Sequence, residues 1–196
     1  MKPKPEDLTE VLRHLSLTTI AQQYEDLGRE AAREGLCHVE YLRRLAEAEA
    51  AARYERSVQR RIKAARLPVL KTLEQFDWSW PKKINRTQVQ DLFRLRFVEQ
   101  NTNAVFIGGV GLGKTHFALA LAHSACLNNV PTLFAPAVEI VNTLSAAQAT
   151  HTLPKALKAY VAPRLLVVDE LGYLPMDKRG ADLLFQVISA RYERSA

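Results

Sequence analysis

The stretch GGVGLGKTHFALALAH, residues 108–123, has four glycines among its first six residues. It follows the apolar run NAVFI and continues into a run of Ala and Leu that favours a helix. The pattern G-x-x-x-x-G-K-[ST] is complete from Gly108 to Thr115, in the strand–loop–helix context in which this pattern binds phosphate. The stretch therefore predicts a phosphate-binding loop.

The residue types of this loop fit nucleotide chemistry. Glycines let the backbone come close to a phosphate, and the N–H groups at the start of the following helix favour an anion. The Lys114 ammonium adds a positive charge at the β- and γ-phosphates, and the Thr115 hydroxyl can ligate Mg²⁺. The residues predicted to bind the nucleotide are Gly108, Gly109, Val110, Gly111, Leu112, Gly113, Lys114, Thr115 and His116.

A second motif, LLVVDELGYL, begins about 55 residues later and has the form of a buried strand ending in two carboxylates. Asp169 is expected to hold the metal, directly or through water. Glu170 is expected to polarise the water that attacks the γ-phosphate, so Lys114 and Glu170 are the candidate catalytic residues. An extra apolar stretch, VPTLFA, separates the two motifs, which argues against a small-molecule kinase and favours a hydrolytic site.

Hydrophobic periodicity predicts a helical first part and an α/β second part. Gly35 is a predicted helix C-cap, and a long helix is expected over 39–66. The remaining predicted helices are 86–97, 114–128, 138–147, 153–159 and 181–194, and the predicted strands are 103–108, 130–136 and 164–170. The expected domains are a helical N-terminal domain at 1–67, a linker with a short helix at 68–100, and a P-loop core at 101–196.

Composition narrows the class of protein further. The 196 residues are 47% hydrophobic and 24% charged, which is typical of a soluble globular protein. The chain has no apolar run near the roughly 20 residues of a membrane span, and its start lacks the features of a secretory signal. Cys37 and Cys126 match no metal spacing, so a reduced, cytoplasmic chain with no membrane partner is expected.

The net charge of +6 fits either a nucleic-acid partner or simple solubility, and one helix carries much of this charge. In the second half of the long predicted helix, basic residues recur three or four positions apart and form a stripe. A solvated face, a contact with a phosphate backbone and a contact with an acidic partner all fit such a stripe. The candidate contact residues are Arg53, Arg56, Arg60, Arg61 and Lys63.

An aromatic cluster lies in the predicted linker, at Phe76, Trp78 and Trp80. These side chains are expected to dock the linker on the following domain. The alternative is that one of them contacts a nucleotide base.

The combination of motifs resembles the IstB-like ATP-binding proteins, which are AAA+ helpers of insertion-sequence transposases and are related to the helicase loader DnaC. The resemblance rests on GGVGLGKTHFALALA and on RLLVVDELGYLPMDKRGADLLFQVISARYER, and RRIKAARLPVLKTLEQFDW is similar to that family's N-terminal domain and linker. It implies a P-loop NTPase fold of the AAA+ type, with an incomplete parallel sheet, preceded by a small all-α N-terminal domain.

The resemblance also implies a function. An ATP-dependent, DNA-associated ATPase would assemble as a homo-oligomer on duplex DNA and assist a transposase. ATP and Mg²⁺ are the implied cofactors, with Thr115 and Asp169 serving the metal and Glu170 positioning the water. A DnaC-like loader acting in DNA replication, and a non-hydrolysing module that binds DNA or another copy of itself, remain as alternatives.

The sequence departs from the family at its end. The family continues after RYER with a strand that ends in a sensor residue, then with a further strand and an arginine finger. That sensor strand lies between the two strands of the site, so a truncated chain is expected, with weak or absent hydrolysis. Its loss would leave a gap beside the site or force 105–108 and 166–169 to pair directly.

Overall fold

A computed structural model describes residues 7–79, 84–173 and 177–192. Its elements are α1 Leu8–His14, α2 Thr18–Glu34, α3 His38–Ala65, α4 Arg86–Leu92, α5 Arg96–Glu99, α6 Lys114–Leu127, β1 Thr132–Pro136, α7 Ala137–Ala149, α8 Leu153–Val161, β2 Leu165–Asp169, the 3-10 helix Leu171–Tyr173 and α9 Lys178–Arg191. None of the helices in these ranges has a stretch long and apolar enough to cross a bilayer.

The contacts divide the chain into two compact units, Met1–Gln59 and Arg60–Ala196. The division falls inside α3, so it does not test the predicted domain boundary at residue 67, and the three-part domain organisation stays a prediction. The described elements of the first unit are all helices.

In the first unit, α2 is capped by a residue far away in the sequence. Leu17 precedes the helix and supplies no side-chain cap. The carboxylate of Glu49, on α3, accepts hydrogen bonds from the backbone N–H groups of Thr19 (2.7 Å) and Ile20 (3.2 Å) instead. A helix N-terminus leaves such N–H groups unpaired and favours a negative charge, so Glu49 supplies what the local sequence lacks. At the other end, Gly35 adopts the left-handed conformation (φ 67°), which confirms the predicted C-cap.

The second unit is built around a two-stranded parallel sheet in which Thr132 pairs with Leu165 and Pro136 with Asp169. Alternate side chains face opposite layers. Phe134, Leu165 and Val167 pack with α6, while the other face of the sheet packs with α7, α8 and α9. A strand covered on both faces has a continuous apolar sequence, and such apolar runs predicted β1 and β2.

The predicted strand at 103–108 is not present. These residues form no β-ladder, and β1 and β2 are the only strands in the described ranges. The ring of Phe106 packs against the core, whereas Val105 is 76% exposed and Ile107 is 91% exposed. An extended segment becomes a strand only when a neighbour pairs with its N–H and C=O groups, and direct pairing with β2 does not occur.

The single helix predicted at 86–97 is also wrong. The structure has α4 and α5, separated by a turn in which Leu95 has a φ of 59°. A left-handed residue cannot continue an α-helix, yet the Leu95 side chain is buried in the core. Burial of this leucine therefore stabilises the break.

One buried charge joins α9 to the segment that leads into β2. The Arg191 guanidinium donates to the backbone carbonyls of Tyr160 (2.8 Å), Pro163 (2.8 Å) and Arg164 (3.2 Å). Burial lowers the pKa of Arg191 to about 10, so the group stays protonated at neutral pH. Arg191 thus satisfies carbonyl groups at the end of α8 and holds the start of β2.

Candidate phosphate-binding site

The loop from Gly108 to Thr115 precedes α6 and is open to solvent, with Val110 83% exposed. Gly111 and Gly113 have φ values of 76° and 83°, in the left-handed region that favours glycine. Gly113 is constrained a second time, because a Cβ there would lie 2.5 Å from the Phe76 ring. The last glycine of the motif is therefore required by both backbone conformation and packing.

The Lys114 side chain folds back over the loop, and its ammonium donates to the carbonyl of Gly109 at 2.6 Å. This places a positive charge above the backbone that is predicted to surround the phosphates. A bound phosphate would offer this ammonium a charged acceptor in place of a carbonyl.

The two motifs meet at the start of α6. The hydroxyl of Thr115 donates to the Asp169 carboxylate at 3.3 Å, across 54 positions of sequence. Asp169 is the last residue of β2, and the same carboxylate oxygen accepts the backbone N–H of Glu170 at 3.0 Å. A hydroxyl oxygen and a carboxylate oxygen are the kinds of ligand that Mg²⁺ prefers, and here they lie close together. Thr115 and Asp169 therefore fit the implied Mg²⁺ ion.

Glu170 lies immediately after β2, with an exposed side chain and a φ of 59°. Positive φ is uncommon for a residue with a side chain and marks a local constraint. The structure places Glu170 next to Asp169. Its predicted role with water stays a prediction.

The linker packs on the first turn of α6. The ring of Phe76 lies 4.2 Å from that of Phe117, between ring centroids, and Nε2 of His116 lies 2.9 Å from the carbonyl oxygen of Thr72. The Trp78 ring contacts that of Phe76 and lies 6.0 Å from the Phe117 ring of α6, between ring centroids. The guanidinium of Arg86 lies 4.7 Å above the Trp78 ring. The expected docking of the linker is therefore seen for Phe76 and Trp78, while Trp80 lies outside the described residues.

His116 was predicted to bind the nucleotide as part of the loop. Its ring instead contacts the linker, through the Thr72 carbonyl and the edge of Phe76. Any contact of this residue with a nucleotide stays a prediction.

The candidate DNA-contact residues on α3 differ in what they bind. Arg53 and Arg56 both bind the buried carboxylate of Glu49, at 3.1 and 3.0 Å. Within the second unit, Arg61 donates to the carbonyl of Cys126 at 2.7 Å. Arg60 and Lys63 are exposed, and neither forms an ion pair within the described residues.

Two residues and one contact that matter for the structure were not singled out from the sequence. Glu49 is one of several acids on an Ala-rich helix, and nothing in its neighbours distinguishes it. Arg191 belongs to the RYER ending, which signals the family but not the role of the residue. The contact between Phe76 and Gly113 joins positions 37 apart (113 − 76), so no local periodicity indicates it.

Comparisons with known proteins agree on one family. A family model described as IstB-like ATP binding protein matches residues 10–196. A Pseudomonas aeruginosa relative, named as an ATP-binding protein of insertion sequence IS21, is 36% identical over 190 residues, covering 97% of this chain and 72% of its own length. A Geobacillus stearothermophilus relative, named for insertion sequence IS5376, is 34% identical over 190 residues, with 97% and 76% covered. A Bacillus thuringiensis relative, named for IS232, is 34% identical over 194 residues, with 99% and 78% covered.

Proposed function

This chain belongs to the IstB-like ATP binding protein family, and we propose that it binds and hydrolyses ATP with Mg²⁺ while it assists a transposase on DNA. The observation that carries the proposal is the 3.3 Å contact between the Thr115 hydroxyl and the Asp169 carboxylate at the start of α6. This contact brings the phosphate loop next to Asp169, the acid at the end of β2. The names of the relatives, which combine ATP binding with insertion sequences, support transposition as the setting.

Each residue of the site has a proposed task. The loop N–H groups and the Lys114 ammonium bind the phosphates, and Thr115 and Asp169 hold the metal ion. When bound, Mg²⁺ would neutralise charge on the phosphates. Glu170 accepts a proton from the attacking water or orients it, and its exposed position after β2 leaves room for that water.

ATP hydrolysis by the purified chain tests this proposal, with Glu170→Gln as the informative variant. The substitution keeps the shape of the side chain and removes its basicity. We expect kcat to fall by about 100-fold while the Kd for ATP stays unchanged, because general-base groups act on the chemical step. Glu99→Gln, an exposed change on α5, is the matched control.

An ATPase rate that Glu170→Gln leaves unchanged would contradict the role of Glu170. Tight ATP binding with no hydrolysis by the wild-type chain would instead favour the non-hydrolysing module. The predicted oligomer is tested by sizing the same preparation with ATP and duplex DNA. The cytoplasmic location stays a prediction.

DNA association is proposed to use the exposed cations of α3, above all Arg60 and Lys63. Contacts with phosphates release counterions, so the logarithm of the affinity falls linearly with the logarithm of salt concentration. We expect Arg60→Ala with Lys63→Ala to reduce that slope by about 2, measured by fluorescence anisotropy on random-sequence duplex DNA. Arg29→Ala with Arg33→Ala removes the same charge from α2 and serves as control. Equal slopes for wild type and the α3 variant would contradict this contact.

A further inference from the structure

The end of the phosphate loop rests on a side chain from the linker. Phe76 is only 9% exposed, and three of its ring carbons are the nearest atoms to the position that a Cβ of Gly113 would occupy. The closest would be 2.5 Å away, so the ring lies directly against the Gly113 backbone. Gly113 is also the residue from which α6 begins.

The same ring contacts the first turn of α6. Its centroid lies 4.2 Å from that of Phe117 and 5.4 Å from that of His116. A polar contact reinforces this packing, because Nε2 of His116 lies 2.9 Å from the Thr72 carbonyl oxygen. The linker is thus attached at two points, four residues apart in its own sequence, to one turn of α6.

Within the loop, the Leu112 side chain lies against Gly108 and Gly109. The loop residues are mostly exposed, and their side chains contribute the Lys114–Gly109 hydrogen bond and the Thr115–Asp169 contact. Backbone N–H groups bind a phosphate well only when they are already held in the binding geometry. Gly113 is the residue at which the loop enters α6, so a side chain packed against Gly113 limits the movement of the loop at that end.

We propose that Phe76 is a positioning residue for the phosphate loop, acting through Gly113 and the first turn of α6. The inference rests on the proposed function and deepens it, since it adds a linker residue to the nucleotide site. The proposed role of Phe76 needs no contact with the nucleotide, because its ring packs against Gly113, His116 and Phe117.

Calorimetric titration of the full chain with ATP and Mg²⁺ tests the inference on Phe76→Ala and Phe76→Leu. Titration separates two effects. A purely structural role lowers the fraction of binding-competent molecules, whereas a positioning role raises the Kd at unchanged stoichiometry. We expect a Kd raised roughly tenfold for Phe76→Ala and roughly threefold for Phe76→Leu, measured well below the unfolding temperature of each variant. Phe76→Leu keeps the test valid if Phe76→Ala fails to fold.

The matched control is Val89→Ala, because Val89 is 8% exposed and belongs to the same apolar cluster but lies on α4. We expect this variant to lose stability and to keep the wild-type Kd within about twofold. An unchanged Kd in both Phe76 variants, or an equal rise in Val89→Ala, would overturn the inference alone. A wild-type chain that binds no ATP would overturn the proposed function together with it.

Discussion

Thr115 and Asp169 show how the candidate site is assembled at the scale of single residues. Each belongs to a motif that can be recognised in the sequence, and the pairing of the two motifs was predicted from their types and spacing. Their 3.3 Å contact follows from two ordinary features, since Thr115 lies in the first turn of α6 and Asp169 ends β2. The support of Gly113 by Phe76 could not be predicted, because tertiary packing between distant positions determines it.

Glu49 provides a residue-scale test through pH. Burial alone would raise the pKa of Glu49, but the pKa is held below its ordinary value. The groups that lower it are the backbone N–H groups of Ile20 and Thr19 and the guanidinium groups of Arg53 and Arg56. A lowered pKa in the folded state gives stability that is fully present above the unfolded value of about 4.3 and is lost as pH falls through the folded-state pKa.

We therefore expect Glu49→Gln to reduce the free energy of unfolding by about 2 kcal/mol at pH 7, in urea titrations followed by circular dichroism. The difference from wild type should shrink as the pH falls below 4.3 or so, since the wild-type carboxylate is then protonated as well. Glu47→Gln, at an exposed position paired with Arg43, is the control and should stay within about 0.5 kcal/mol of wild type. A difference that is constant from pH 7 to acid pH would contradict the account of Glu49.

At the scale of elements, sequence patterns predicted what depends on local chemistry. The long helix was predicted at 39–66 and is α3, His38–Ala65, because Ala, Glu and Arg favour helix and Pro68 stops it. Strands β1 and β2 were predicted from apolar runs. The segment 103–108 has the same kind of apolar run but forms no strand, because strand formation also needs a neighbour, which a local pattern cannot supply.

Arg191 tests how α9 supports β2. Several backbone carbonyls share one guanidinium, and a lysine ammonium at the same place keeps the charge but cannot reach all of them. We expect Arg191→Lys to lower the free energy of unfolding by about 2 kcal/mol, measured by chemical denaturation. Arg179→Lys, at an exposed position on the same helix, should have little effect. Equal stabilities of the two variants would show that the carbonyl contacts of Arg191 contribute nothing specific.

In the whole molecule, the residues proposed to bind the nucleotide and the cations proposed to contact DNA belong to the same compact unit. The phosphate loop, its strand-end acid and its linker support all belong to Arg60–Ala196. In the first unit, Arg53 and Arg56 bind Glu49. We therefore propose that DNA contacts are made chiefly by Arg60 and Lys63. ATP binding is thus the part of the proposed function that the geometry supports most directly, and assistance to a transposase stays a proposal.

The Mg²⁺ dependence of ATP binding in Thr115→Ala, Asp169→Asn and the double variant shows whether Thr115 and Asp169 hold the same metal ion. In the wild type, we expect ATP to bind more tightly with Mg²⁺ than in EDTA. If both residues hold one ion, each single substitution removes most of this difference in affinity. The double variant should then bind no more weakly than either single variant, because residues that act as a unit are not additive. Fully additive losses, or a Mg²⁺ dependence that survives in both single variants, would show that the two motifs do not form one metal–nucleotide site.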